Sequence, residues 1–306
     1  MIAHASSLTL LGALLHPLEQ GDWLSGLSIH PSTVAGILAL GGIYAWRARQ
    51  LKRAESGYRT SKIASEEGGT SERPRSPTTG QRLAFITGLA MLFLSLNGPI
   101  HDLSDTYLFS VHMVQHLLLT MAVVPLLIAG TPGEMLRPVL RSHPVAAVAR
   151  VATTGPACFL AFNLTIAVWH VPAVYDLAMR SHPMHIIQHL CFLVAATLMW
   201  WPIMSPLPEL PRLSYPKQML YTFLLTLPMA LIGIVITYAE RVLYPAYQSA
   251  PRIWGLSPLE DQLLGGLIMW LPGGLVLLGV LSVIFFRWAS RENDDTASAQ
   301  ADWRPA

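Results

Sequence analysis

Two segments of the chain share the pattern His-x-x-Gln-His, with His112 and His116 in the first and His185 and His189 in the second. In an α-helix, residues four positions apart differ by about 40° in azimuth and about 6 Å in height, so both imidazoles of a pair project from one face. Such a pair can ligate one metal ion, and imidazole suits copper, zinc, iron and nickel. We therefore predict that the two pairs form a single metal site, in which the intervening glutamines fix the ring tautomers.

Further polar residues lie near the same end of the apolar segments. His101, Asp102 and Asp105 precede the segment that carries the first pair, where imidazole and carboxylate groups can attract a cation. Either aspartate can instead cap the following helix. His170 ends another apolar segment and Asp261 begins the last one, and both are accessory candidates. For Asp261, packing at a helix start is the alternative.

Sulfur-containing residues give a weaker signal. Cys158 and Cys191 lie within apolar runs and form no Cys-x-x-Cys pair, so neither a disulfide framework nor a thiolate zinc site is predicted. Met113, Met179 and Met184 share the depth of the histidines and would suit Cu⁺. Methionine is also an ordinary packing residue, which is the alternative for all three.

The motifs of an enzyme are absent from the sequence. Neither histidine pair carries the glutamate of the His-Glu-x-x-His zinc peptidases, and there is no glycine-rich phosphate loop or Ser/His/Asp arrangement. We expect a protein that binds a metal without catalysing a reaction. The alternative is a structural role, in which these histidines donate hydrogen bonds between membrane helices.

The composition describes the elements that position these residues. The chain has 306 residues, of which 52% are hydrophobic and 12% charged, against about 25% charged in soluble domains. Apolar runs of about 20 residues match the length needed to cross a hydrocarbon layer of about 30 Å. The sequence therefore predicts an all-α membrane protein, a bundle of seven transmembrane helices. The predicted spans are Leu27–Trp46, Leu83–Ile100, Leu108–Gly130, Val151–His170, Met184–Met204, Met219–Ala239 and Leu263–Phe286.

The distribution of positive charge predicts the orientation. With seven spans, all Lys and Arg residues except Arg180, Arg241 and Arg252 fall on one side, which marks that side as cytoplasmic. The N-terminus is therefore predicted outside and the C-terminus in the cytoplasm. Nearly all of the histidines then lie outside or in the outer third of a span. Because titratable groups in membrane helices usually face a bundle interior or a cavity, this clustering favours a single site.

The same reasoning divides the chain. We predict an outer N-terminal segment at 1–26, a first transmembrane helix at 27–46 and a disordered cytoplasmic loop at 47–82, which is rich in Ser, Thr, Gly and Pro. A six-helix membrane core with the histidine site follows at 83–286, and a cytoplasmic tail at 287–306. The net charge of +2 follows membrane sidedness and gives no indication of nucleic-acid binding.

Four motifs in this order resemble a known family. They are His112–Pro132 (HMVQHLLLTMAVVPLLIAGTP), Trp169–Tyr175 (WHVPAVY), His185–Pro202 and Asp261–Trp270 (DQLLGGLIMW). The chain is similar here to the polytopic CtaG family of cytochrome c oxidase assembly factors, which is distinct from the single-span copper chaperone of the same name. The resemblance covers about residues 83–286.

The resemblance implies a function in the maturation of haem-copper oxidases in the bacterial plasma membrane. Copper would be accepted at the outer face from a copper donor there, and passed by ligand exchange to an immature cytochrome c oxidase subunit. The partners would then be that subunit, the donor and the lipid bilayer. The functional histidines implied are His112, His116, His170, His185 and His189.

Two alternatives come from other classes. A membrane cytochrome would ligate haem through one histidine of each pair, between the third and fifth spans. A copper channel would need polar groups that continue to the cytoplasmic face. The inner halves of those spans, Leu117–Gly130 and Phe192–Met204, are nearly free of ligands, which argues against conduction.

Overall fold

The computed structural model describes residues 28–64 and 75–302, with side chains described for 28–58 and 75–293. Every regular element in these ranges is helical, which confirms the all-α prediction. The predicted segment 1–26 lies outside the described residues. The helices are α1 Pro31–Ala64, α2 Thr79–Leu96, α3 Pro99–Thr106, α4 Phe109–Gly130, α5 Gly133–Leu136, α6 His143–Ala152, α7 Gly155–Trp169, α8 Pro172–Arg180, α9 His182–Met204, α10 Tyr215–Thr237, α11 Pro245–Gln248 and α12 Pro258–Asp302.

Five of these helices are long and apolar enough to cross a membrane: α2, α4, α9, α10 and the Pro258–Asn293 part of α12. Helices α6 and α7 qualify only as a pair, bent by 76°. Pro156 lies in the first turn of α7, where proline is favoured. Because proline lacks a backbone N–H, it also opposes one straight helix running from α6 through α7. Residues 31–46 of the first predicted span lie in α1, which is not among the five, so the count of seven spans and the orientation remain predictions.

The connection after the first predicted span differs from the prediction. Residues 47–64, predicted as disordered, continue helix α1. The segment is rich in Arg, Lys and Ala, which favour helix, and it extends a helix that has already begun, so no new nucleation is needed. Glu55 accepts hydrogen bonds from the backbone and hydroxyl of Ser76, at 3.2 and 2.8 Å, just before α2. Residues 65–74 of the predicted loop lie outside the described residues.

Close packing between helices depends on small residues. A Cβ atom at Gly266 of α12 would lie 2.4 Å from the Thr237 hydroxyl and 2.9 Å from the Gly233 carbonyl of α10. Glycine is therefore required there, as is common where membrane helices approach closely. On the other side of the bundle, the Trp200 indole of α9 donates to the Thr120 carbonyl of α4 at 2.8 Å. That carbonyl lies in a π-helical turn, Leu119–Val123, and the bond places α4 beside α9.

Candidate metal site

The fold brings the two His-x-x-Gln-His pairs together in the interior. His112 Nε2 and His116 Nε2 on α4 are 2.9 Å apart, and the rings of His185 and His189 on α9 have centroids 4.4 Å apart. Between the helices, the centroids of His112 and His185 are 5.5 Å apart and those of His116 and His189 are 5.7 Å apart. All four rings are buried, with at most 7% exposure. We refer to these four residues as the histidine cluster.

Two overlapping groups of donors within the described residues have a geometry suited to a metal ion. One consists of His112, His116 and His189, and the other of Asp105, His112 and His185, with the donor atoms of each group within 4.8 Å of one another. Bonds from histidine to a metal such as zinc are about 2.0–2.1 Å long, so the donors need only small side-chain movements to close on an ion. His112 belongs to both groups and is the centre of the arrangement.

Asp105 supplies the only carboxylate of these two groups. Its Oδ2 lies 3.1 Å from His185 Nδ1 and 3.3 Å from His101 Nε2. Burial raises the pKa of the Asp105 carboxyl, but the hydrogen bond from His185 and the nearby imidazoles outweigh burial and hold that pKa below its usual value. Burial lowers the pKa of His101, which Asp105 opposes only in part. The site therefore pairs an ionised carboxylate with a neutral His101 at physiological pH.

Several ring nitrogens at the site are buried and have no hydrogen-bond partner among the described residues. They are His116 Nδ1, His185 Nε2, His189 Nε2 and His170 Nε2. A buried polar atom without a partner costs about 1–3 kcal/mol, and native proteins rarely leave several of them together. A metal ion would satisfy each of these nitrogens that faces it, because a neutral imidazole ligates through its unprotonated nitrogen. The residues thus fit the metal that the sequence predicts.

His170 lies at the edge of the cluster. Its Nδ1 donates a hydrogen bond to the Ile166 carbonyl at 2.7 Å, one turn back in α7. Nε2 is then the unprotonated nitrogen, which could ligate a metal. The ring centroid is 6.4 Å from that of His116. His170 therefore does not belong to either of the two metal-capable groups.

Asp261, predicted as an accessory residue, has a different role. Its fully buried carboxylate accepts hydrogen bonds from the backbone N–H groups of Phe109 and Ser110, at 2.7 and 3.0 Å. It therefore caps the N-terminus of α4 from another helix, where a negative charge also meets the positive end of the helix dipole. One turn further along α12, a Cβ atom at Gly265 would lie 2.3 Å from the Phe109 ring. These two residues dock α12 against the turn that leads into His112.

The other accessory aspartate also lies apart from the metal-capable groups. Asp102 is in the first turn of α3 and accepts a hydrogen bond from the Ser28 hydroxyl. Asp105, three residues later, is the one that faces the histidine cluster. Within α3, Asp102 therefore binds Ser28, just before α1, whereas Asp105 can ligate a metal ion.

The two motif glutamines behave differently from one another. The Gln115 amide lies 3.1 Å from His101 Nδ1 and donates to the Ser95 carbonyl at 2.7 Å, while its oxygen accepts from the Ser104 hydroxyl. Gln115 therefore orients His101, a histidine outside its own motif. Both polar atoms of the Gln188 amide are buried without a hydrogen-bond partner among the described residues.

Three residues that the sequence did not assign to the site lie next to it. The Tyr247 hydroxyl is 3.2 Å from His112 Nδ1 and donates to the Ser104 carbonyl at 2.6 Å. The His30 ring is 4.3 Å from that of His101 and 5.7 Å from that of His182, measured between centroids. His30 and His182 were recognisable as histidines of the same membrane side. Nothing in the sequence around Tyr247 indicated its contact.

Comparison with known proteins agrees with the resemblance seen in the sequence. The profile of the cytochrome c oxidase caa3 assembly factor family (Caa3_CtaG) matches residues 42–291. The chain is 28% identical to the uncharacterized protein Mb0105 of Mycobacterium bovis, and also to MT0111 of Mycobacterium tuberculosis, over 94% of its own length and 46% of theirs. It is 24% identical to ML1998 of Mycobacterium leprae over 70% of the chain and 35% of that protein. The chain thus spans less than half the length of these relatives. No solved structure is detectably similar.

Proposed function

Because this chain belongs to the cytochrome c oxidase caa3 assembly factor family, we propose that it binds copper at the histidine cluster and hands the ion to an immature oxidase subunit. Copper is then the cargo of a metallochaperone, and the chain performs no catalysis. The protein would work in the bacterial plasma membrane, with the histidine cluster near the outer face and a copper donor on that side.

One observation carries the proposal: His112 is shared by two overlapping donor groups, while the neighbouring imidazoles keep buried nitrogens that have no partner in the described part of the chain. Imidazole, which supplies most of these donors, is a ligand that suits copper. Overlapping groups also suit transfer, because an ion can exchange one ligand at a time without leaving His112. Such exchange needs neither a catalytic base nor a nucleophile.

A row of histidines offers a path between the cluster and the exterior. His182 is exposed and His30 is half-buried, and the row continues through His101 to His185, whose ring centroid is 5.8 Å from that of His101. These four residues also line a cavity of 20 Å³. Steps of this length allow an ion to be passed between neighbouring rings through small movements.

Cavity size favours a bare ion over the alternative, haem. The two cavities that the cluster histidines line measure 20 and 30 Å³. Sites for cofactors and other small molecules are typically about 300–1,000 Å³. Bis-histidine ligation of haem would require the α4 and α9 rings to separate and admit a macrocycle. Soret absorption of the purified protein distinguishes haem from copper directly.

The proposal is tested in a strain that lacks the protein. We expect the oxidase polypeptide to be present but deficient in copper, because the proposed step follows translation. Wild type should restore copper content and activity, whereas His116→Ala and His189→Ala should not. His143→Ala, in an exposed histidine at the start of α6, is the matched control and should restore both. Copper-replete, fully active oxidase in the deletion strain, with a second factor excluded, would refute the proposal.

A further inference from the structure

A second cavity, of 30 Å³, is lined by His116 and by several methionines. Met113 and Met121 come from α4, Met229 from α10 and Met269 from α12. Each of the four side chains is at most 8% exposed. Thioethers from three helices therefore line one small cavity, together with the rings of His116 and His170.

Methionine commonly fills irregular gaps in a core, so convergence alone does not make a site. The independent observation is that His170 Nε2 and His116 Nδ1 are both buried and have no hydrogen-bond partner among the described residues. The other polar group in the lining is already used, because the Thr120 hydroxyl donates to the His116 carbonyl at 2.8 Å. A cavity lined by thioethers and by two imidazoles, each with one nitrogen that lacks a partner among the described residues, has the donor set of a soft metal.

Backbone packing preserves room for one of these thioethers. A Cβ atom at Gly273 of α12 would lie 2.7 Å from Met229 Cε and 3.3 Å from its Sδ. The Met229 thioether therefore packs directly against the backbone of α12 at Gly273, beside the cavity.

We infer that this cavity is a second copper site, specific for Cu⁺ and built from His116, His170 and the four methionine thioethers. The site rests on the proposed function and extends it, because His116 links the cavity to the histidine cluster. Thioether and imidazole ligands favour Cu⁺. A neutral imidazole has one lone pair, so His116 ligates one ion at a time; when it serves the cavity, Asp105, His112 and His185 remain for an ion in the histidine cluster. Every ligand of the cavity is then neutral, and burial of charge in a membrane interior is costly, so the monovalent ion is favoured over Cu²⁺. The cavity has room for a bare ion but not for its hydration shell.

The test uses the full chain in detergent, loaded with Cu⁺ under anaerobic conditions. X-ray absorption of the wild type should show copper–sulfur scattering beside copper–nitrogen scattering. The quadruple variant Met113→Leu, Met121→Leu, Met229→Leu, Met269→Leu should lose the sulfur scattering and one equivalent of Cu⁺, measured against a chromophoric chelator. Exchange of methionine for leucine nearly conserves volume, so the fold should be retained.

The matched control replaces methionines away from the cavity: Met91→Leu, Met135→Leu, Met219→Leu. This control should keep both copper signals. If the wild type binds copper through nitrogen and oxygen only, or if the cavity variant keeps its sulfur scattering, the second site is refuted while the proposed function stands. If the wild type binds no copper, both are refuted. The wild-type spectrum decides the question even where a variant fails to fold.

Discussion

Replacement of Asp261 by asparagine tests how the start of α4 is held. The native carboxylate accepts two backbone hydrogen bonds, at 2.7 and 3.0 Å, in a fully buried position. Asparagine has nearly the same shape but only one oxygen, so its NH₂ group would face one of the two backbone donors. A hydrogen bond to a charged group contributes about 1.5–3 kcal/mol, and a buried donor without a partner costs about 1–3 kcal/mol.

We therefore expect Asp261→Asn to lower the free energy of unfolding by about 2–3 kcal/mol. The first turn of α4 leads directly into His112, so copper affinity should also fall. Loss of a residue that orients a metal ligand typically costs about 10–100-fold in affinity. Both quantities can be measured on purified protein, by denaturation in mixed detergent micelles and by competition with a copper chelator.

The matched control is Glu260→Gln, the neighbouring residue. The Glu260 carboxylate accepts from the Ser257 backbone N–H, at 2.8 Å, and the residue is exposed at the start of α12. This substitution should change unfolding by less than about 0.5 kcal/mol and leave copper affinity unchanged. If Asp261→Asn behaves like Glu260→Gln in both assays, our account of α4 positioning is wrong.

Three further predictions concern the site. His112→Ala should lower copper affinity more than any other single change in the histidine cluster, because His112 belongs to both donor groups, and His143→Ala should have no effect in the same titration. Asp105→Asn should weaken copper binding and flatten the acid limb of a stability profile. The pKa of Asp105 is lower in the folded protein than its ordinary value of 3.8, so the ionised carboxylate stabilises the fold above pH 3.8 and this stabilisation is lost as the pH falls below that value. If the wild type and Asp105→Asn lose stability equally in acid, this account is wrong. Cys158→Ser and Cys191→Ser should keep full copper content by elemental analysis, and loss of metal would show that a thiolate takes part.

The sequence predicted those features that depend only on the regular geometry of a helix. The apolar runs indicated membrane helices, and the spacing of four residues placed His112 with His116 and His185 with His189 on common faces. Both inferences need only the helical rise and twist. The same reasoning missed the helical extension of 47–64, because composition alone separates a disordered polar segment poorly from a helix that continues past the membrane.

Which carboxylate joins the histidines was decided by the tertiary structure. Asp102, Asp105 and Asp261 were equivalent candidates from sequence. Asp105 faces His185, while Asp261 caps α4 across 151 and 152 residues of chain. Contacts between residues so far apart depend on how helices rotate and dock, and no local periodicity encodes that rotation.

The methionine cavity shows the same division. The sequence singled out Met113, Met179 and Met184 by depth, yet only Met113 lines the cavity beside His116. Its companions Met121, Met229 and Met269 face it because α4, α10 and α12 pack around small residues that permit their close approach. Residue types and depth were fixed by the chain itself, whereas the direction of each thioether was fixed by packing between helices.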